Sequence, residues 1–349
     1  MQQRQRATLA LGIVVAIFLF VQLGALALVE PFDQVYEPVE NPQDPTNSLA
    51  YVGAILVATV LMLAAFKLGG DEVIRLLIVG SGAWLGLYVF SVLVPPAPTV
   101  LGVNAVALAG AVALGIALYA YPEWYVIDIA GAVMGAAGGG LFGISFGVLP
   151  ALVLLSVLAV YDAVSVYGTE HMLTLASGVM DLKVPVVLVL PMSLSYSFLD
   201  AEMPDPTVDE DEGDTTAVAD GEGPVAVDEE TGEHDSATEG KAANPAEDPL
   251  EREALFIGLG DVVIPTVLVA SAAHFAAEGT PTVFSTPLPA VTAAVGTFAG
   301  LAVLMRMVLK GRAHAGLPLL NGGTIAGYLV GALASGITLI DALGLGPYL

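Results

Sequence analysis

Apolar positions in this chain gather into nine long runs, with approximate limits 7–28, 48–67, 72–94, 99–121, 124–148, 149–167, 254–277, 288–309 and 318–340. A hydrocarbon layer about 30 Å thick needs roughly 20 apolar residues per helix. The pattern therefore predicts an all-α polytopic membrane protein with nine transmembrane helices. The first run follows Arg4 and Arg6 and is longer than the h-region of a signal peptide, so it is expected to be a true span. Val184 to Phe198 is also apolar but short, carries Pro185 and Pro191, and is rich in valine. That composition predicts a strand-like or interfacial piece rather than a tenth helix. Thr169 to Leu182 reads as an amphipathic extension of the sixth span at the membrane surface.

Polar residues concentrate in one place. Between Asp200 and Glu253 lie 20 of the 35 acidic residues against only Lys241 and Arg252. A segment so charged and so poor in aromatics buries too little apolar area to offset its ordering entropy, and is expected to be disordered. The chain thus divides into an N-terminal membrane half (1–182), an acidic cytoplasmic loop (183–253) and a C-terminal membrane half (254–349). Lys and Arg in short loops mark the cytoplasmic side. With the N-terminus inside, all ten of them fall on that side, and the C-terminus lies outside. The composition, 56% hydrophobic and 13% charged, is that of a cell-membrane protein.

Several kinds of chemistry drop out. There is no cysteine, hence no disulfide, thiolate metal site or thiol nucleophile. His171, His234, His274 and His314 form no spaced ligand pair, and no metal or other cofactor is expected. A net charge of −25 argues against a nucleic-acid partner. Gly131, Gly135, Gly138, Gly139 and Gly140 lack the strand and lysine of a phosphate loop, and small residues in a membrane helix permit close packing.

Two carboxylates stand inside apolar runs, where an ionised group is costly and therefore marks function. Asp162 lies near the end of the sixth span and Asp261 near the start of the seventh. Consecutive spans run in opposite directions, so both aspartates are expected roughly 8 to 10 Å below the same boundary. Gly258 and Gly260 carry no side chain to hold the two helices apart. Two carboxylates in one low-dielectric site cannot both ionise comfortably, so such a pair holds a single proton. The ionised member can activate water while the protonated one polarises a scissile carbonyl. Asp128 is a rival carboxylate, but within about one turn of its span's cytoplasmic end it reads as a snorkelling or capping group. At the head of the ninth span, Leu317 to Gly323 contains Pro318 and Asn-Gly-Gly. This stretch is expected to stay unwound and offer an extended edge to a substrate, unless Pro318 simply opens a helix.

Tyr161-Asp162, Gly258-Leu259-Gly260-Asp261 and the triplet Pro318-Leu319-Leu320 resemble the Y-D, G-x-G-D and P-A-L motifs of the presenilin and signal peptide peptidase family. The resemblance covers nearly the whole chain: nine spans, a long loop between the sixth and seventh, and motifs in the same order. It implies an intramembrane aspartyl endopeptidase with Asp162 and Asp261 as its catalytic pair. It further implies that Tyr161, Gly258 and Gly260 support the site and that Pro318, Leu319 and Leu320 shape substrate binding. The region just before the seventh span would form a strand against the substrate. Substrates would be single-pass membrane proteins or remnant signal peptides, and the N-inside orientation resembles presenilin. One departure is Leu319, which stands where the family has alanine. The competing reading is a proton- or ion-coupled transporter using the same carboxylates, although no internal duplication accompanies it. A prepilin-type peptidase, which shares G-x-G-D, would leave the ninth-span motif unexplained, and a non-catalytic membrane chaperone would not need the pair to meet.

Overall fold

The computed structural model describes residues 2–36, 39, 41–95, 98–100, 102–168, 185–199, 254–309 and 315–346. The expected surface extension at 169–182 and the acidic segment at 200–253 fall outside the described residues.

Among the described residues, nine long helices stand where the nine apolar runs lie. They are α1 (Gln2–Val35), α2 (Thr46–Lys67), α3 (Asp71–Leu93), α4 (Ala105–Ala120), α5 (Trp124–Ser145), α6 (Val148–Gly168), α7 (Leu259–His274), α8 (Leu288–Val308) and α9 (Leu317–Ala334). A one-turn α10 (Leu339–Ala342) follows. Seven of these helices are long and apolar enough to cross a membrane unaided, and α4 and α7 are apolar but shorter, at 16 residues each. In both short cases the front of the apolar run is strand. β1 (Thr99–Val100) and β2 (Val103–Asn104) form a hairpin before α4, whose first amides at Val106 and Ala107 are accepted by the Asn104 side chain. The run expected to open the seventh span at residue 254 starts as β4 (Ala254–Gly258), so that helix begins five residues later, at Leu259.

β4 pairs antiparallel with β3 (Val187–Pro191), Leu188 opposite Ile257 and Leu190 opposite Leu255. β3 is the valine-rich, proline-flanked segment, and its strand character agrees with its composition. Leu188, Val189 and Leu190 are fully or almost fully buried. A second small hairpin, β5 (Thr282–Val283) with β6 (Thr286–Pro287), links α7 to α8.

Burial follows small residues. α5 packs between α1, α3 and α7, and its glycines allow it: a Cβ on Gly139 would lie 2.7 Å from Thr266 Cγ2, and one on Gly143 would overlap Ala270. The glycine contacts expected of the fifth span are made. α2, by contrast, is almost wholly exposed on its apolar sides, with Val57, Val60 and Leu61 at 60% or more. Such a surface suits lipid and not water. α2 is tied to α6 at its start, where buried Ser48 donates its hydroxyl to the Pro150 carbonyl at 2.6 Å.

α8 and α9 make the closest backbone approach. Gly296 and Gly300 on α8 face Gly323 and Gly327 on α9, with Gly331 against Thr292 and the first turn of α8, and a Cβ on Gly296 would overlap the Gly323 carbonyl, as one on Gly300 would overlap that of Leu319. Repeated four-residue spacing puts these glycines on one face of each helix. Buried Thr297 and Thr324 share a hydrogen bond across the contact at 2.8 Å. This interface fixes where α9 begins.

Candidate active site

Asp162 follows Leu155 and Leu158 on the inward face of α6, both buried, at helical spacings that keep them on one side. Its carboxylate is buried too, at 6% exposure, and it meets the head of α9. The Leu317 amide donates to Asp162 Oδ2 at 3.0 Å, and the Gly316 amide donates to the same carboxylate. First-turn amides have no partner within their own helix, and the positive end of the helix dipole favours a carboxylate there. Two turns back along α6, the buried Asn321 amide donates to the Leu155 carbonyl at 2.9 Å. These bonds clamp α6 to α9.

Asp261 approaches the same point from the other side. It stands in the first turn of α7, half-buried, beside exposed Gly258 and Gly260. A Cβ placed on Gly316 would lie 3.1 Å from Asp261 Oδ2. One residue, Gly316, thus touches both carboxylates, and the two groups are close enough to interact electrostatically. The apolar run that begins at residue 254 would put Asp261 about two turns inside a helix. Asp261 is three residues in, because β4 takes up the outer part of the apolar run.

The other motif residues play parts that differ from expectation. Gly258 and Gly260 do not serve as a helix contact: among the described residues nothing lies within 4 Å of a Cβ on Gly260, and one on Gly258 would meet only the Asp261 carboxyl group, at 3.6 Å. They leave the approach to Asp261 clear. Tyr161 turns away from the pair and is 41% exposed, as its position next to an inward-facing residue dictates. The stretch expected to stay unwound is helical, since α9 starts at Leu317 with Pro318 in its first turn. Pro318 has no amide to lose there and its fixed φ suits a helix start. Leu320 is fully buried. Leu319, in the family's alanine position, keeps its backbone against Gly300 and packs its side chain on the core formed by α1, β3, β4 and α8. The larger residue is accommodated because the close contact is made by its carbonyl.

Asp128 does not snorkel. It is 6% exposed, and its Oδ1 accepts the Val189 amide of β3 at 2.8 Å. Glu123, one residue before α5, is likewise buried and accepts from the Ser197 hydroxyl at 2.7 Å and the Phe198 amide at 3.0 Å. His274 lies at the far end of α7, 3.6 Å from Asp33. Among the described residues no group of three or more His, Asp or Glu is arranged to hold a metal ion. The amides of Gly316 and Leu317, which gather the pair, carry no side-chain signature. Only their place just before the Pro-x-Leu points to them.

Over residues 15–337 the chain matches the family described as signal-peptide peptidase, presenilin aspartyl protease. Two solved structures, each described as a presenilin family intramembrane aspartate protease, are similar to it. One, in space group C222, is 32% identical with a TM-score of 0.60, covering 93% of this chain and 99% of that one. The other, in space group P2, is 31% identical with a TM-score of 0.58, covering 93% and 97%. No curated protein sequence matches. A helical membrane fold of this form, closing on two carboxylates, is that of an intramembrane aspartate protease. The chain belongs to the signal-peptide peptidase and presenilin aspartyl protease family, whose members act on transmembrane substrates, and the transporter reading finds no support.

Proposed function

We propose that Asp162 and Asp261 form the catalytic pair and hydrolyse a peptide bond without a covalent intermediate. The observation that carries this is the convergence of both carboxylates on Gly316 at the head of α9. The ionised aspartate takes a proton from water, whose oxygen attacks the scissile carbonyl carbon. The other aspartate gives its proton to the carbonyl oxygen, and the tetrahedral diol collapses as a proton passes to the leaving nitrogen. One oxygen of the new carboxyl end comes from water. Cleavage in ¹⁸O-water with hydroxylamine present is expected to give a carboxyl terminus carrying one ¹⁸O and no hydroxamate. A trapped hydroxamate would mean an acyl-enzyme and rule this route out.

Substrates are single-pass membrane helices or remnant signal peptides, unwound at the cleavage point. The outer edge of β4, which ends at Gly258 beside Asp261, takes up the unwound segment by strand addition. The Pro318-Leu319-Leu320 triplet acts by holding the helix head in place, since Leu320 is covered. The N-terminus lies in the cytoplasm and the C-terminus outside, supported by the distribution of Lys and Arg. Gly316→Ala tests the geometry directly, because its Cβ would press on Asp261 Oδ2 at 3.1 Å. Relieving that contact moves the carboxylate by a few tenths of an ångström, and since a misplacement of about 1 Å at reacting groups costs on the order of a hundredfold, kcat is expected to fall by roughly three- to tenfold while the variant still folds.

A further inference from the structure

Asp128 is a buried acid that the catalytic scheme leaves idle. Its Oδ2 has no hydrogen-bond partner among the described residues, so the group is held at a desolvation cost that an apolar residue would avoid. What it does is visible in the ladder of the β3–β4 sheet. The Leu259 amide donates to the Val186 carbonyl at 2.8 Å, which fixes the alternation of an antiparallel pair. Leu188 with Ile257 and Leu190 with Leu255 then exchange hydrogen bonds, and Val187, Val189 and Pro191 point their backbone groups away from β4. On that outer edge Pro191 has no amide, and the Val189 amide is taken by Asp128. α5 lies alongside, where a Cβ on Gly131 would sit 2.8 Å from Leu188 Cδ2. Among the described residues the outer edge of β4 has none of these blocks. Ala254, Phe256 and Gly258 all carry amides, and the row ends next to Asp261. An unpaired edge recruits strands unless it is closed.

We propose that Asp128 is a positioning residue that closes the outer edge of β3, so that an extended substrate segment adds to β4 alone, in line with Asp261. The inference rests on the reading that Asp162 and Asp261 cut a strand docked on β4. Through Val189 the carboxylate also fixes the strand that pairs with β4, and so the register of the docking edge.

The test uses the full chain and a transmembrane peptide substrate. Asp128→Asn keeps an oxygen acceptor for the Val189 amide, and Asp128→Leu keeps the volume without it. Asp128→Asn is expected to stay within about twofold of the parent, whereas Asp128→Leu raises KM about tenfold with kcat changed less than about threefold, the pattern of lost docking. The proposal is overturned if Asp128→Leu cleaves normally, if it loses kcat at unchanged KM, or if Asp128→Asn is equally impaired. Should Asp128→Leu fail to fold, the cysteine-free sequence offers a second measurement in the otherwise unaltered chain. A substrate peptide bearing one cysteine in its extended segment is expected to cross-link to the Phe256→Cys variant and not to Val187→Cys, and equal cross-linking to both would overturn the proposal. Cross-linking needs no turnover. Asp261→Asn that still cuts would therefore sink the catalytic reading and leave the edge comparison to stand or fall by itself.

Discussion

Asp162→Asn and Asp261→Asn are each expected to lower kcat/KM for a transmembrane substrate by at least about a thousandfold, the contribution of a positioned acid or base. Asparagine keeps the shape of the side chain and an oxygen to accept the Leu317 amide, which now bonds Asp162 Oδ2 at 3.0 Å. It cannot take a proton from water or give one to a carbonyl. What the fold loses in the charge's attraction to the head of α9 is offset by the burial cost that goes with it. A carboxylate among apolar helices is costly, and asparagine removes that cost, so thermal unfolding of either variant is expected at or above the temperature of the parent. Activity lost without stability lost is the signature of a group kept for chemistry. If unfolding fell by several degrees alongside activity, the two aspartates would be acting as structural pins.

The second large effect lies away from the carboxylates. Gly323→Ala is expected to destabilise the protein by about 3 kcal/mol or more and to abolish cleavage. A Cβ there would overlap the Gly296 carbonyl, and backbone on a packed helix cannot rotate aside as a side chain does. α9 would have to move off α8, drawing the Leu317 amide away from Asp162. Gly322→Ala is the control, because among the described residues nothing lies within 4 Å of its Cβ. It should be neutral, or stabilising by up to about 1 kcal/mol through helix propensity. Thermal unfolding and cleavage of the two variants side by side separate a close helix contact from a general intolerance of alanine in α9.

The architecture is legible in the sequence because lipid demands long apolar runs, and these need no periodicity to be seen. The two aspartates are legible for the same reason: a carboxylate at Asp162 or Asp261 contradicts its surroundings. The start of α7 is not. Leu255-Phe256-Ile257 is as good a strand as a buried helix turn, and only its pairing with Leu188 and Leu190 decides the matter. Pro318 fits an open loop and a first helical turn equally well, and it is the packing of Leu319 and Leu320 against Gly300 that selects the helix. The spacing of Gly296 and Gly300, and of Gly323, Gly327 and Gly331, is plain among 39 glycines, but which helices face each other is tertiary information. Asp128 looks like an end-of-helix carboxylate until β3 is seen to pass beside it.

The central claim is that Asp162 and Asp261 act as one unit sharing one proton. Residues that act as a unit are not additive. The direct measurement is kcat/KM for the parent, both single asparagine variants and Asp162→Asn/Asp261→Asn on the same membrane substrate. The account predicts that the double variant is no worse than either single one, all three at the same low floor. A double variant that loses the product of the two single effects, or any of the three that still cuts at a rate near the parent's, would contradict it.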